Sequence, residues 1–245
     1  MKIISWNCRG ATDRKGFSKD KLEYITNFKA DIYVIQECKE DDIDKLDKKH
    51  KKAFCDGIDS NYGIGVFSDK LKITIIPEHN KDFRYLVPFK VSNDDFEFIL
   101  FAVWTKEKDK ENKKTSYTRQ VWDAINFDSY IKHLSSSVLL IGDFNSNNRW
   151  ETDYKRDNVP SHQEIIDKLF EYDIESAYHK YYKCENGKEK DPTELYMMDI
   201  NKKYHVDYCF LSNNFKLKEV KIGNLTEWAN AKYSDHCPIS VEFDL

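Results

Sequence analysis

Glycine and proline are scarce, 8 and 5 among 245 residues, and no Pro-rich stretch, Gly/Ser linker or internal repeat interrupts the chain. With nothing to mark a boundary, and with polar motifs spread from position 7 to position 236, residues 1–245 are expected to form one catalytic domain. The cysteines, Cys8, Cys38, Cys55, Cys184, Cys209 and Cys237, include no C-x-x-C pair, which argues against zinc and dithiol redox motifs. No apolar run nears the roughly 18 residues of a membrane span, and the start Met1-Lys2-Ile3-Ile4-Ser5-Trp6-Asn7 carries no signal-peptide hydrophobic region. A reduced, cytoplasmic monomer without a membrane partner is the expectation. Neither sign of charge dominates, since 39 Lys and Arg face 43 Asp and Glu for a net −4. That balance does not exclude nucleic acid, because a carboxylate-rich metal site coexists with local basic patches.

What is present is 40% apolar and 14% aromatic residues, enough for a sizeable core. Short runs rich in β-branched and aromatic residues predict strands at 2–6, 32–36, 63–67, 72–76, 96–104, 138–141, 205–211 and 239–243. Helical patterns alternate with them at 19–28, 118–134 and 163–170. In the second, Val121, Trp122, Ile125, Tyr130, Ile131 and Leu134 recur at three-to-four spacing, and Ser161 with Glu164 predicts a capping box before the third. Two basic patches, Lys48-Lys49-His50-Lys51-Lys52 and the stretch from Lys106 to Arg119, read either as solvated loops or as phosphate contacts. The polar stretches 106–116 and 146–160 exceed ordinary connections, which favours binding loops.

The chemistry collects where apolar runs stop. Glu37 ends a strand as a lone carboxylate, which suits a hard cation that keeps several waters, or a salt bridge to Lys39. Asp143 and Asn145 follow an apolar run and straddle Phe144, so alternation sets a carboxylate for water beside an amide for an oxyanion; an Asx turn is the plainer alternative. Asp235 and His236 precede the last strand, and such a histidine needs a second carboxylate to fix its tautomer. Asp207, inside the run His205-Val206-Asp207-Tyr208-Cys209-Phe210, is the candidate, because a buried carboxylate is costly unless paired. His162, His179 and His205 read as structural or exposed rather than as proton donors.

The ordered set Ser5-Trp6-Asn7, Gln36-Glu37, Gly142-Asp143-Phe144-Asn145, Val206-Asp207-Tyr208 and Ser234-Asp235-His236 resembles the endonuclease/exonuclease/phosphatase superfamily over nearly the whole chain. The resemblance implies an α/β fold, a four-layered sandwich of two mixed β-sheets packed face to face and flanked by helices. It implies Glu37, Asp235 and Asn7 around Mg2+, with Mn2+ as a substitute, and Asp143, Asn145, Asp207, His236 and Asn7 in catalysis. Gln36-Glu37-Cys38-Lys39, Ser234-Asp235-His236-Cys237-Pro238-Ile239 and Tyr196-Met197-Met198 are similar to the exonuclease III and apurinic/apyrimidinic endonuclease branch. A Trp-Cys-Asp-Arg stretch, expected of inositol polyphosphate phosphatases, is absent. Nucleic acid, with DNA favoured, is the implied substrate, contacted by Trp104, Tyr117, Arg119, Lys113, Lys114 and Tyr204.

Two positions depart from that branch. Trp104 stands where the endonucleases place a Tyr, and an indole donates a hydrogen bond but gives up no proton near neutral pH, so it either stacks on a base or packs at a strand end. Glu194 falls where an aromatic would cover a flipped sugar beside Tyr204 and Val206. Two other readings stand beside the nuclease: a phosphomonoesterase for a small metabolite or lipid headgroup, and a catalytically silent nucleic-acid-binding module.

Overall fold

The computed structural model describes residues 1–10, 19–46, 48–57, 62–106, 116–150 and 159–245. Two six-stranded sheets carry the chain. The first runs in the order β13 (Lys216–Ile222), β14 (Ile239–Asp244), β1 (Lys2–Asn7), β2 (Ile32–Cys38), β4 (Gly63–Ser68) and β3 (Lys51–Asp56). The second runs β5 (Lys72–Ile75), β6 (Leu86–Ser92), β7 (Glu97–Trp104), β8 (Val138–Asp143), β12 (Asp207–Ser212) and β9 (Ile174–Ser176), and β10 (Glu194–Leu195) with β11 (Lys203–Tyr204) forms a separate hairpin. Both sheets are mixed: β1–β2 and β7–β8 are parallel, while β1–β14 and β8–β12 are antiparallel.

The two-residue period of a strand explains the layering. Ile3, Ile32, Val34, Leu139 and Ile141 point into the core between the sheets, while Ile4, Trp6, Tyr33 and Ile35 face outward on the first sheet, and Val138 and Leu140 on the second. Both faces are therefore apolar, which is why these strands read as unbroken hydrophobic runs. Ile25 of α1 (Lys19–Thr26), Ile43 of α2 (Glu40–Asp44) and Trp228 of α7 (Leu225–Asn230) cover the first outer face. Val121 of α3 (Tyr117–Ile125), Tyr130 of α4 (Asp128–Leu134) and Ile165 of α5 (His162–Phe170) cover the second. A shorter helix, α6 (Ala177–Tyr182), follows β9. The result is a four-layered α/β sandwich.

The helix expected over 118–134 is two helices. The Asn126 side chain donates to Trp122 O at 2.8 Å and closes α3, and Phe127 adopts an extended conformation (ψ 125) before α4 begins. The apolar stripe survives the break because both helices pack on one sheet. At Ser161 the capping box is present, with Glu164 N donating to Oγ at 3.0 Å and Ser161 N donating back to Glu164 Oε2 at 2.7 Å. The strand β3 starts inside the first basic patch, whose Lys49 and His50 meet Asp69 and whose Lys52 meets Asp44, so that patch is ion-paired.

Candidate active site

One edge of the sandwich gathers the ends of β1, β2, β8 and the start of β12. Asn7 ends β1, and its amide nitrogen donates to Asp143 Oδ2 at 2.9 Å and to Glu37 Oε1 at 3.2 Å. A single amide thus ties together carboxylates from both sheets. Its oxygen accepts from Arg9 N at 2.9 Å, which settles the orientation of the amide.

Glu37 occupies a β-bulge. Gln36 pairs with Ile64 and Cys38 with Gly63, leaving Glu37 unmatched at φ +55. Such a left-handed conformation costs a non-glycine residue roughly 1–3 kcal/mol, and a bulge re-aims the side chain it carries. Here it turns the carboxylate toward Asn7. The ammonium of Lys39 instead lies over the Tyr62 ring, 4.9 Å from its centre.

Asp143 and Asp207 face each other across the β8–β12 ladder, both buried. The His236 Nδ1–H donates to Asp207 Oδ2 at 2.9 Å, and Nε2 stands 4.0 Å from Asp143 Oδ2. Burial pushes the Asp143 carboxyl well above its ordinary range, and Asp207 and Glu194 add to this against the pull of His236 and Asn7. For His236, burial works against the imidazolium, but the negative charge of Asp207, Asp143 and Glu194 outweighs it and holds the ring well above its usual value. Asn145, also left-handed at φ +47, donates its backbone N–H to Asp143 Oδ1 at 3.0 Å and its side-chain amide to Thr105 O at 2.9 Å, while Phe144 turns into the outer core.

Thr193 and Arg9 are not singled out by the sequence, and the roles of Trp6, Ser234 and Glu194 emerge only from tertiary contact. Thr193 Oγ1 accepts the backbone N–H groups of Val206 and Asp207 at 3.0 and 3.1 Å. Ser234 Oγ donates to Asn7 O at 2.7 Å and accepts from His236 N at 3.0 Å, while Trp6 donates to His236 O at 3.0 Å. Arg9 Nε lies 3.1 Å from Asp235 Oδ2. Glu194, 8% exposed, is bridged across strands to His236; burial raises its carboxyl to about 7, with Asp207 and Asp235 adding to the shift and His236 opposing it.

The substrate contacts expected from sequence divide. Trp104 is 2% exposed, with its ring edge-on to Tyr85 at 5.7 Å inside the inter-sheet core, so it presents no face to a base and packs at the strand end. Tyr117 opens α3, and Arg119 pairs with Asp123 on the same helix at 3.3 Å. Lys113 and Lys114 lie outside the described residues. Tyr204 is half-buried, with Trp150 edge-on to it at 4.9 Å.

The family model described as the Endonuclease/Exonuclease/phosphatase family matches residues 4–236. The chain belongs to that family. As a member of the endonuclease/exonuclease/phosphatase family it is a phosphoester hydrolase. Its fold is shared with a variant of the 3′ phosphatase NExo from Neisseria, solved with a product DNA hairpin (17% identity, TM-score 0.68, 100% of each chain covered). An AP endonuclease from Archaeoglobus fulgidus (14%, 0.68, 100% of each chain) and humanized D. rerio TDP2 (17%, 0.68, 100% of this chain and 99% of that one) share it as well. Among curated proteins none matches the chain by sequence.

Proposed function

We propose that the protein is a Mg2+-dependent phosphodiesterase that hydrolyses nucleic acid, DNA foremost, by in-line attack of water. The observation that carries this is the Asp207–His236–Asp143 array, buried at the edge where Asn7 joins Asp143 to Glu37. The fold shared with a phosphatase bound to a DNA hairpin and with an AP endonuclease supports the substrate class.

Two donor sets invite a cation. Asp143, Asp207 and His236 have ligand atoms within 4.8 Å of one another, but His236 already supplies positive charge there and an imidazole is a poor partner for Mg2+. Glu37 and Asp235, both only partly buried, offer carboxylate oxygens at the same edge, and a strained bulge aims the Glu37 carboxylate toward the buried Asn7, whose amide oxygen already accepts from Arg9 N. That oxygen-rich set fits a hard divalent ion. When bound, the ion supplies Lewis-acid stabilisation of phosphoryl charge.

The protein's own groups do the rest. Asp143, whose carboxyl burial raises well above its ordinary range, accepts the proton of the attacking water more readily than an ordinary aspartate would. His236, its tautomer set by Asp207, brings hydrogen-bonding positive charge to the pentacovalent phosphorane. Asn145 lies beside Asp143 to contact the scissile phosphate.

Incubation with plasmid, linear duplex, single strand, RNA, an abasic oligonucleotide and a 3′-phosphorylated end, with and without EDTA, tests the reading. Cleavage of a nucleic-acid substrate that EDTA abolishes and Mg2+ or Mn2+ restores is the expected result. Full activity in EDTA would overturn the metal. Asp143→Asn should lower kcat by about 100-fold or more with binding nearly intact, since it removes a base needed only as the transition state forms. Wild-type kcat with a raised KM would make Asp143 a binding group.

A further inference from the structure

Arg9 engages two of the three residues that offer oxygens to a hard cation. Its backbone N–H donates to Asn7 Oδ1 at 2.9 Å, and its Nε lies 3.1 Å from Asp235 Oδ2. Ser234 Oγ stands 3.4 Å from the other Asp235 oxygen. Asp235 therefore already has a positive partner, whereas Glu37 receives the neutral amide of Asn7. An amide oxygen has two lone pairs, so Asn7 Oδ1 keeps one for an ion while Arg9 N holds the other.

The turn that carries Arg9 is fixed against the bulge that presents Glu37. Cys8 N donates to Gln36 O at 3.1 Å, Cys8 Sγ donates to Glu37 O at 3.2 Å, and the buried ammonium of Lys21 donates to Cys8 O at 2.7 Å. Gly10 lies so close that a Cβ there would strike the Glu37 carbonyl oxygen. Arg9 between them is left-handed, at φ +55. The Arg9 and Asp235 side chains, by contrast, reach the surface of the edge, 21% and 17% exposed. Parting them needs a rotation of the Arg9 side chain and no change in the backbone.

Charge decides what parts them. An arginine stays protonated at any working pH, so the pair is not undone by loss of its proton. A divalent ion places two charges on one small centre where a guanidinium spreads one over a plane, and it binds a carboxylate oxygen more tightly for that reason. The displaced guanidinium, at the same edge, then has the planar fork of donors that matches phosphate oxygens.

We propose that Arg9 is an exchangeable counter-ion of the cation site, holding Asp235 when no ion is bound and yielding it to the ion, whereupon its guanidinium turns to a phosphate of the substrate. The proposal rests on the metal-dependent nucleic-acid reading and adds how the acidic edge is balanced without an ion and what gives way when one binds.

Calorimetric titration with Mn2+, with no nucleic acid present, tests the exchange. Arg9→Met, which keeps much of the side chain and removes its charge, should bind Mn2+ tighter by about fivefold, the upper range of a partly exposed ion pair. In an Asp235→Asn background the same substitution should change affinity by less than about twofold, because the contested carboxylate is gone. Unchanged or weaker affinity in Arg9→Met overturns the exchange, and so does an equal gain in the Asp235→Asn background, which would trace to net charge alone. Melting in EDTA shows which variants fold, and Arg9→Gln takes the place of Arg9→Met if the latter does not. At saturating Mn2+, Arg9→Met should raise KM for a short oligonucleotide by about tenfold with kcat nearly kept, the loss of one charge-assisted hydrogen bond. An unchanged KM overturns the phosphate contact. If wild type binds Mn2+ yet cleaves no nucleic acid, the nuclease reading fails and the titrations alone decide the exchange. If neither wild type nor Arg9→Met binds Mn2+, the cation site fails and the exchange with it.

Discussion

Two acidic residues at the centre are held where isolated acids would not choose to be. Glu37 keeps a left-handed backbone that glycine would adopt without strain. Glu37→Gly should therefore leave Tm unchanged or raise it, worth up to about 1 kcal/mol after the entropy that glycine loses on folding, while metal-dependent hydrolysis is lost. A clear fall in Tm would instead make the carboxylate a structural strut. Glu194 is strained electrostatically. Its carboxyl rises to about 7 from 4.5, chiefly through burial, so the folded state holds this proton more tightly than the unfolded chain. Stability from that proton is intact below pH 4.5 and is lost as pH climbs through 7. In EDTA, Glu194→Gln should melt like wild type near pH 4.5 and be more stable at pH 8 by up to about 3 kcal/mol. Equal stability at pH 8 would place the charge of Glu194 in well-solvated surroundings. At this scale the sequence was only partly legible. Asp207 betrayed itself as a carboxylate in an apolar run, whereas Glu194, Ser234 and Thr193 draw their importance from neighbours across strands.

Among the elements, the strands that build the site were the most legible ones. Each is buried on both faces, and such strands leave continuous apolar runs that end where the polar residues begin. The edge strands β3 and β13 escaped notice because β3 opens on two adjacent lysines and ends on an aspartate, while lysines and a glutamate run through β13, compositions that protect an open edge but resemble a loop. The paired helices α3 and α4 merged into one in the sequence reading because their apolar positions stay in phase across the break at Asn126 and Phe127. Between β7 and β8 a close approach depends on Gly142. Its φ is +148, and a Cβ there would fall 1.9 Å from Val103 O. Gly142→Ala should force the two parallel strands apart and cost about 3 kcal/mol or more, with Asp143 displaced and hydrolysis lost together with stability. Denaturation of purified protein measures this, and a loss below about 1 kcal/mol would mean that the β7–β8 pair yields easily.

For the whole molecule, the modest net charge of −4 conceals a concentrated one. Glu37, Asp143, Glu194, Asp207 and Asp235 crowd one edge, answered within the described contacts by His236 and Arg9. Like charges so placed repel one another and repel a polyanion. A divalent ion relieves both repulsions, so it should stabilise the folded protein even with no substrate present. At a free concentration about 100 times Kd the linkage amounts to about 2.7 kcal/mol, which raises Tm by several degrees in a chain of this size. Melting in EDTA and again with added Mg2+ or Mn2+ should show that rise in wild type and its loss in Glu37→Gln. A shift that survives Glu37→Gln but disappears in Asp207→Asn would move the ion to the Asp143, Asp207 and His236 group. In that case His236 must give up its proton to bind metal, and the rise in Tm should shrink steeply as pH falls, because protons and the ion then compete for the same imidazole. An ion held by Glu37, Asp235 and Asn7 displaces no imidazole proton, so its effect on Tm should fall far less steeply as pH is lowered.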